Sequence, residues 1–333
     1  MTSADKLKLI DRAIKSLSGQ EAGCTLCPRD CRVDRRRGAD GFCRSGNLAA
    51  VSSALLHFGE EPMLSGYEDW RKQKSGSHGP RAGSGTVFFT GCNLKCLFCQ
   101  NYQISWFQDG HAVSDEDLAG LMLGLERQGA LNINLVSPTH MILPILRALR
   151  LAVERGLSLP VVYNSNGYDK VETLKHLDGV VDIYLPDLKY FSPQLSEKLS
   201  GAPDYFENAT LALKEMSRQQ PELELDEDEV ARRGVIIRHL VLPAHHRESL
   251  AVLDWIKQNL PAGYCLSLMS QFHPCHQAPE EMRRPLSAVE YREVVAKAEE
   301  LQFEHIFIQP EVFGPEEHFA PDFDRDDPFG WDD

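Results

Sequence analysis

Three cysteines, Cys92, Cys96 and Cys99, stand in the run Gly91-Cys92-Asn93-Leu94-Lys95-Cys96-Leu97-Phe98-Cys99-Gln100-Asn101, just past the apolar Val87-Phe88-Phe89. Thiolates in C-x3-C-x2-C spacing can grip three corners of a cubane iron–sulfur cluster and leave the fourth iron without a protein ligand. Electron-transfer clusters are closed by four cysteines, so a set of three predicts a coordination position kept open for another molecule. The alternative is a structural zinc site. Such sites close with a fourth Cys or His at short range, and none lies between Cys99 and His111.

A second set, Cys24, Cys27, Cys31 and Cys43, has four members. That is enough to close a zinc site or an auxiliary four-iron cluster, and the spacing leaves both open. Beside it lies a basic cluster, Arg29, Arg32, Arg35, Arg36 and Arg37. It reads as a solvated loop, with a docking patch for an acidic partner as the lesser alternative. Of the remaining cysteines, Cys265 is expected in the core of a strand, and Cys275 within reach of a cavity.

The elements that position these groups come next. The chain of 333 residues is long enough for one large barrel-like domain with an appendage. No run approaches a membrane span. Residues 1–23 alternate Lys6, Lys8, Arg12 and Lys15 with Leu7, Leu9, Ile10, Ile14 and Leu17, which predicts an amphipathic helix rather than a signal peptide. The protein is therefore expected in the cytoplasm, where nine cysteines are metal ligands or reduced thiols rather than disulfides. A net charge of −14 argues against nucleic acid as a partner. Half of that charge falls in residues 315–333, where eight acids face Arg325. This stretch reads as a solvated acidic tail.

Strand-like runs are expected at 86–90, 132–136, 159–163, 181–185, 234–241, 264–268 and 305–308. Helical patterns lie between them at 115–125, 141–155, 249–258 and 288–301. Continuous apolar strands alternating with helices predict a parallel sheet covered by helices. The fold class is thus α/β, a complete or partial (β/α) barrel with a cysteine-rich N-terminal segment. The expected divisions are an N-terminal helix (1–23), the cysteine-rich segment (24–64), a Gly/Ser-rich linker (65–85), the barrel (86–310) and the tail. The acidic run at 222–229 reads as solvated surface. Barrel chemistry gathers at the C-terminal ends of strands, and the notable polar motifs fall at or near such ends. They are Ser137-Pro138-Thr139-His140, Asn164-Ser165-Asn166-Gly167, Asp187-Leu188-Lys189, Arg238-His239, and the group Gln271, His273, Cys275 and His276.

With these motifs in order, the chain resembles the radical S-adenosylmethionine superfamily. It looks most like proteins related to the pyruvate formate-lyase activating enzyme, in a branch that begins with a cysteine-rich segment. The similar stretches are Cys24 to Cys31 with Gly41-Phe42-Cys43, Gly59-Glu60-Glu61-Pro62, Phe89 to Asn101, Val136 to His140, Tyr184 to Lys189, Arg238 to Pro243 and Leu268 to Gln271. The resemblance covers about residues 20–310 and implies a [4Fe-4S] cluster on Cys92, Cys96 and Cys99. S-adenosyl-L-methionine would chelate its open iron and be cleaved reductively to a 5′-deoxyadenosyl radical.

The resemblance also implies cofactor contacts from Ser137, His140, Asn164, Ser165, Asn166, Asp187, Lys189 and Arg238. Lys189 suits the methionyl carboxylate, and Asp187 a monovalent cation or Lys189 itself. Arg238 matches an arginine that approaches the ribose and carboxylate. Two departures stand out. Ser137 to His140 replace a Gly-Gly-Glu element that usually holds the amino group, and Asn164 replaces an aspartate. Either Gln271 or His273 matches a histidine after the sixth barrel strand.

The implied function is hydrogen abstraction by an oxidoreductase supplied by an electron donor such as flavodoxin or ferredoxin, with a glycyl-radical enzyme as the activated partner. Radical modification of a small molecule, peptide or RNA is the second reading. A metal-binding interaction protein without catalysis is the third.

Overall fold

The computed structural model describes residues 2–38, 41–66, 83–310 and 320–331. Its centre is one sheet in the order β10-β9-β8-β6-β5-β4-β2-β1-β3. The strands are β1 (Ala49–His57), β2 (Ser84–Phe89), β3 (His111–Val113), β4 (Ile133–Val136), β5 (Val161–Ser165), β6 (Ile183–Pro186), β7 (Glu224–Leu225), β8 (Ala231–Leu240), β9 (Cys265–Met269) and β10 (Ile306–Ile308). From β2 to β10 along that order the pairings are all parallel. The sequence-predicted strands correspond to these seven. The sheet path runs open from β10 to β3, so the barrel is partial rather than complete.

The alternation of each strand sorts its side chains. Phe89, Leu135, Tyr163, Tyr184, Ile237 and Leu266 face outward into the large core shared with the helices. Those helices include α1 (Ser3–Leu17), α2 (Asp115–Arg127), α3 (Ile142–Glu154), α4 (Pro193–Ser200), α5 (Tyr205–Gln219), α6 (His246–Asn259) and α7 (Ala288–Leu301). Ser114 and Ser287 start α2 and α7 with reciprocal capping boxes to Asp117 and Glu290, each satisfying two N–H groups that a helix start leaves open. The N-terminal helix ends at Leu17, six residues short of the predicted boundary. It buries Ile10, Ala13 and Leu17 and anchors Lys6 to Asp182 at 2.6 Å.

Three features depart from the sequence-based expectations. Strand β1 lies inside the cysteine-rich segment and pairs antiparallel with β2, with β3 beyond it. The chain after β1 then enters the barrel, where the helical turn Pro62–Ser65 sets Leu64 among Val162, Ile183, Leu185, Ile236 and Cys265. Finally, within 320–331 of the predicted solvated tail the aromatic rings are packed, while Asp322, Asp324 and Asp326 stay exposed. Phe329 and Trp331 are buried against Phe88 and His57, with Phe323 alongside. Their aromatic area outweighs the charge of the neighbouring aspartates. Of the predicted linker, 67–82 lie outside the described residues, as do 311–319 and 332–333 of the tail. Among the described residues no helix is long and apolar enough to cross a membrane.

Candidate functional site

The C-terminal end of β2 runs through Thr90 into Gly91, whose φ of +74° only glycine adopts readily. A side chain there would also strike the Cys43 carbonyl, 2.6 Å from where its Cβ would stand. The cysteine loop that follows is held by neighbouring elements. Lys95 and Leu97 donate backbone N–H groups to the Ser200 and Leu199 carbonyls at 3.2 and 2.9 Å. His140 Nε2 donates to the Thr90 carbonyl at 2.8 Å.

Donors already point at the sulfurs. Asn166 Nδ2 lies 3.2 Å from Cys92 Sγ, and Ser200 Oγ is 3.0 Å from Cys96 Sγ. Ser105 Oγ is 3.2 Å from Cys99 Sγ. Burial and the neighbouring Cys96 raise the thiol pKa of Cys92, and the same two causes push Cys99 up to about 12. Clustered thiols that resist ionisation this way become thiolates when a cationic centre sits among them. With donors aimed at its sulfurs, the loop fits a cluster on these three cysteines.

The strand ends bring a buried charged group beside this loop. Asp187 forms a lone bridge to Arg238. Its Oδ1 accepts from Arg238 Nε at 3.1 Å and its Oδ2 from Lys189 Nζ at 2.6 Å. Arg238 Nη2 donates to Asn164 Oδ1 at 2.5 Å. Burial works to raise the Asp187 carboxyl, but Lys189 and Arg238 outweigh it and hold the pKa below the usual value. For Lys189, burial is outweighed by Asp187 and by the nearby Cys96, and the pKa rises. Lys189 thus lies close enough to feel the cysteine loop. The side chains expected at a monovalent cation, Asp187 and Asn164, are engaged by Arg238 and Lys189.

Sequence reasoning assigned no role to Glu60, although it sits in the same group. Its carboxylate is 3.5 Å from Arg238 Nη1 and accepts from Asn134 Nδ2 at 2.9 Å. Burial raises its pKa against the pull of Arg238. Tyr205 was also missed. Its hydroxyl is shared between the Asn166 and Asp187 carbonyls and accepts from the Lys189 N–H, tying two motifs together. The motif Gly59-Glu60-Glu61-Pro62 was the available signal for Glu60, and only the unrecognised β1 explains where it goes.

Other expected contacts lie elsewhere. Ser165 Oγ donates to the buried Asp169 at 2.5 Å, on the side where Tyr163 and Thr139 also bond that carboxylate. His140 is 2% exposed beneath Thr90. Neither is brought into the group around Lys189. Ser137 takes a positive φ of 58° and donates its N–H to the Asn164 carbonyl. Gln271 lies against the loop, accepting from Gln100 at 3.2 Å through its carbonyl. His276 stacks on Tyr102 and His273 is half-buried. Cys265 is buried in β9, as expected, and Cys275 contacts the Phe98 carbonyl at 3.5 Å.

The N-terminal cysteines pack directly on this loop. Arg29 Nε donates to the Asn93 carbonyl at 2.8 Å and Nη1 to the Gly201 carbonyl at 2.6 Å, with its guanidinium over the Phe42 ring. Arg35, 3% exposed, donates to the Ser45 carbonyl. These two arginines are therefore structural, not part of the solvated loop expected. Arg36 and Arg37 pair with Asp34 at the surface.

The family model described as the Radical SAM superfamily matches residues 86–224. An uncharacterized protein of Methanocaldococcus jannaschii is 31% identical over 314 residues, covering 91% of this chain and 82% of its own. A second from that organism is 23% identical over 303 residues, with coverages of 88% and 83%. Among solved structures, methylornithine synthase (PylB) aligns with a TM-score of 0.46 at 17% identity, over 66% of this chain and 61% of the synthase. Streptococcus suis SuiB bound to S-adenosylmethionine aligns with a TM-score of 0.44 at 14% identity, over 66% of this chain. The chain covers 48% of that SuiB chain.

Proposed function

The chain belongs to the radical SAM superfamily, and from that premise we propose that Cys92, Cys96 and Cys99 carry its [4Fe-4S] cluster while Lys189, Asp187 and Arg238 receive S-adenosylmethionine. When bound, cluster and cofactor supply one electron and a carbon–sulfur bond whose cleavage yields methionine and a 5′-deoxyadenosyl radical for hydrogen abstraction. One observation carries the reading: Lys189, its ammonium held by Asp187 at 2.6 Å, is tied through the Tyr205 hydroxyl to Asn166, whose amide donates to Cys92 Sγ. A carboxylate bound at the cysteine loop would find that cation already positioned.

The chain's own residues then have separate tasks. Asn166, Ser200 and Ser105 donate to the cluster-bearing sulfurs and so bear on their electron density. Asp187 keeps Lys189 and Arg238 charged and aimed, as an acidic partner does for a buried cation. Leu64 packs among Val162, Ile183, Leu185, Ile236 and Cys265 in the barrel interior, and this apolar filling would exclude water from that side of a bound cofactor.

An electron donor of the flavodoxin or ferredoxin kind completes the proposal. The finer reading, abstraction from a glycine of a partner enzyme, is supported by the likeness of the motifs to activating enzymes. The test is anaerobic reconstitution with reductant and S-adenosylmethionine. Wild type is expected to release 5′-deoxyadenosine, and the Cys92/Cys96/Cys99 triple-Ala variant none; equal production by both would sink the assignment. Adding a candidate glycyl-radical enzyme should give a protein-borne radical by electron paramagnetic resonance. A modified small molecule or peptide without that signal would replace the finer reading.

A further inference from the structure

Cys24, Cys27, Cys31 and Cys43 form a second gathered set. Three of them are no more than 9% exposed, and Cys27 lies within electrostatic reach of the other three. The fold spends backbone hydrogen bonds on bringing them together. Arg32 donates its N–H to the Cys24 carbonyl at 2.8 Å, and the Cys24 N–H reaches Val33 at 3.0 Å. Gly41 leaves room for Cys31, whose sulfur would lie 3.2 Å from a Cβ at that position.

Two buried donors beside this set have no acceptor. Arg35 Nη2 and Arg29 Nη2 are shielded from solvent and make no hydrogen bond, and Arg35 lies within reach of Cys24. A buried N–H without a partner calls for an explanation, and an anionic centre with sulfur acceptors supplies one. Zinc and a four-iron cluster ask for different spacings of their thiolates. A tetrahedral zinc at about 2.3 Å from each sulfur draws them to within about 4 Å of one another. Among the described residues no three Cys, His, Asp or Glu side chains are gathered tightly enough for one metal ion. A four-iron cluster places each thiolate on a different iron and so accepts a wider set. The three cysteines of the radical motif likewise form no such tight group.

We infer that Cys24, Cys27, Cys31 and Cys43 hold a second four-iron cluster, rather than zinc, with Arg35 donating to its sulfurs. This centre shares a wall with the radical loop. Arg29 bonds Asn93, and Gln108 Nε2 donates to the Cys43 carbonyl at 3.2 Å. The inference goes beyond the proposed function and does not depend on it.

The test is metal and sulfide analysis of the Cys92/Cys96/Cys99 triple-Ala variant after anaerobic reconstitution. The expected result is about four irons and about four sulfides per chain, with a reducible signal by electron paramagnetic resonance. About one zinc and no iron, or no metal at all, overturns the inference. Should that variant fail to fold, Cys24→Ser and Cys43→Ser in the intact chain give the second measurement. Each should lower the iron content from about eight to about four per chain, and unchanged iron would count against the site. Arg35→Gln, with Arg35→Lys as the conservative control, should shift the potential of the retained cluster downward by removing a positive charge; equal potentials in the two variants would contradict the donor role. A wild-type chain that holds this iron but never cleaves S-adenosylmethionine removes the radical reading alone. A chain that cleaves it while the triple variant binds only zinc removes this inference alone.

Discussion

Lys189 Nζ sits 2.6 Å from Oδ2 of Asp187, whose other oxygen is taken by Arg238. The carboxylate therefore serves as a hub that aims two cations from neighbouring strand ends. A shared, buried acid of this kind is costly to leave with one partner missing, because the uncompensated charge stays desolvated.

Lys189→Ala is accordingly expected to weaken S-adenosylmethionine binding by about 1.5–3 kcal/mol, the range for a hydrogen bond to a charged group. Equilibrium binding to the reconstituted protein checks this. An unchanged dissociation constant, with a lowered melting temperature, would make Lys189 a structural ion-pair residue only.

Asn166 offers a second test. Its Nδ2 is placed between Cys92 Sγ and Asn93 Oδ1, at 3.2 and 2.8 Å. Asn166→Asp removes the donor and adds a negative charge next to the sulfur, so the cluster potential should fall, since hydrogen bonds and net charge set it. A redox titration followed by electron paramagnetic resonance reads the shift. A potential equal to or above wild type would mean that the amide does not act on the sulfur.

Two buried histidines predict an acid-side loss of stability. Burial lowers His140 and His239 to about 4 from an ordinary 6.5. His239 is held neutral between the Leu188 carbonyl and Ser249 Oγ. The unfolded chain takes up these protons as pH falls below 6.5, while the folded chain refuses them until about 4. Stability is thus fully present above 6.5 and declines through that window, by about 2 kcal/mol per histidine between pH 7 and 5. Denaturant unfolding at the two pH values measures it. His239→Gln should flatten the dependence, and an equal slope in that variant would refute the assignment to His239.

The sequence showed the parallel half of this molecule clearly, because strands such as β4, β5 and β9 are apolar on both faces and end in polar motifs. Strand β1 was hidden for a physical reason. Ala49-Ala50-Val51-Ser52-Ser53-Ala54-Leu55-Leu56-His57 has little alternation, and its partner β2 lies beyond a Gly/Ser-rich stretch. Missing β1 also meant missing where Glu60 goes. The site showed the same division. Asp187, Lys189, Arg238 and Asn164, read by position at strand ends, are brought together by the fold. Ser165, read the same way, turns to Asp169 instead, since a one-residue step along β5 sends a side chain to the opposite face. The basic cluster divides: Arg32, Arg36 and Arg37 stay solvated as expected, whereas Arg29 and Arg35 turn their guanidinium groups onto carbonyls and a ring that only the fold brings near.

The last prediction concerns the C-terminal aromatic strap. Trp331 lies 5.5 Å from the His57 ring and 5.8 Å from those of Phe58 and Phe329. Its indole also closes on Gly59, where an added Cβ would come within 3.1 Å. That contact braces the turn from which Glu60 reaches Arg238. Trp331→Ala should cost about 3–5 kcal/mol at this contact, as for other buried tryptophans. Because this segment is held through one small aromatic cluster, the loss should appear first as local release and only partly in the melting temperature. Amide hydrogen exchange should accelerate across 320–331 and at the end of β1 around His57, while α1 and α3 keep their protection. Unchanged exchange at both places would mean that the strap owes its position to Phe323 and Phe329 instead, and the brace on Gly59 would be incidental.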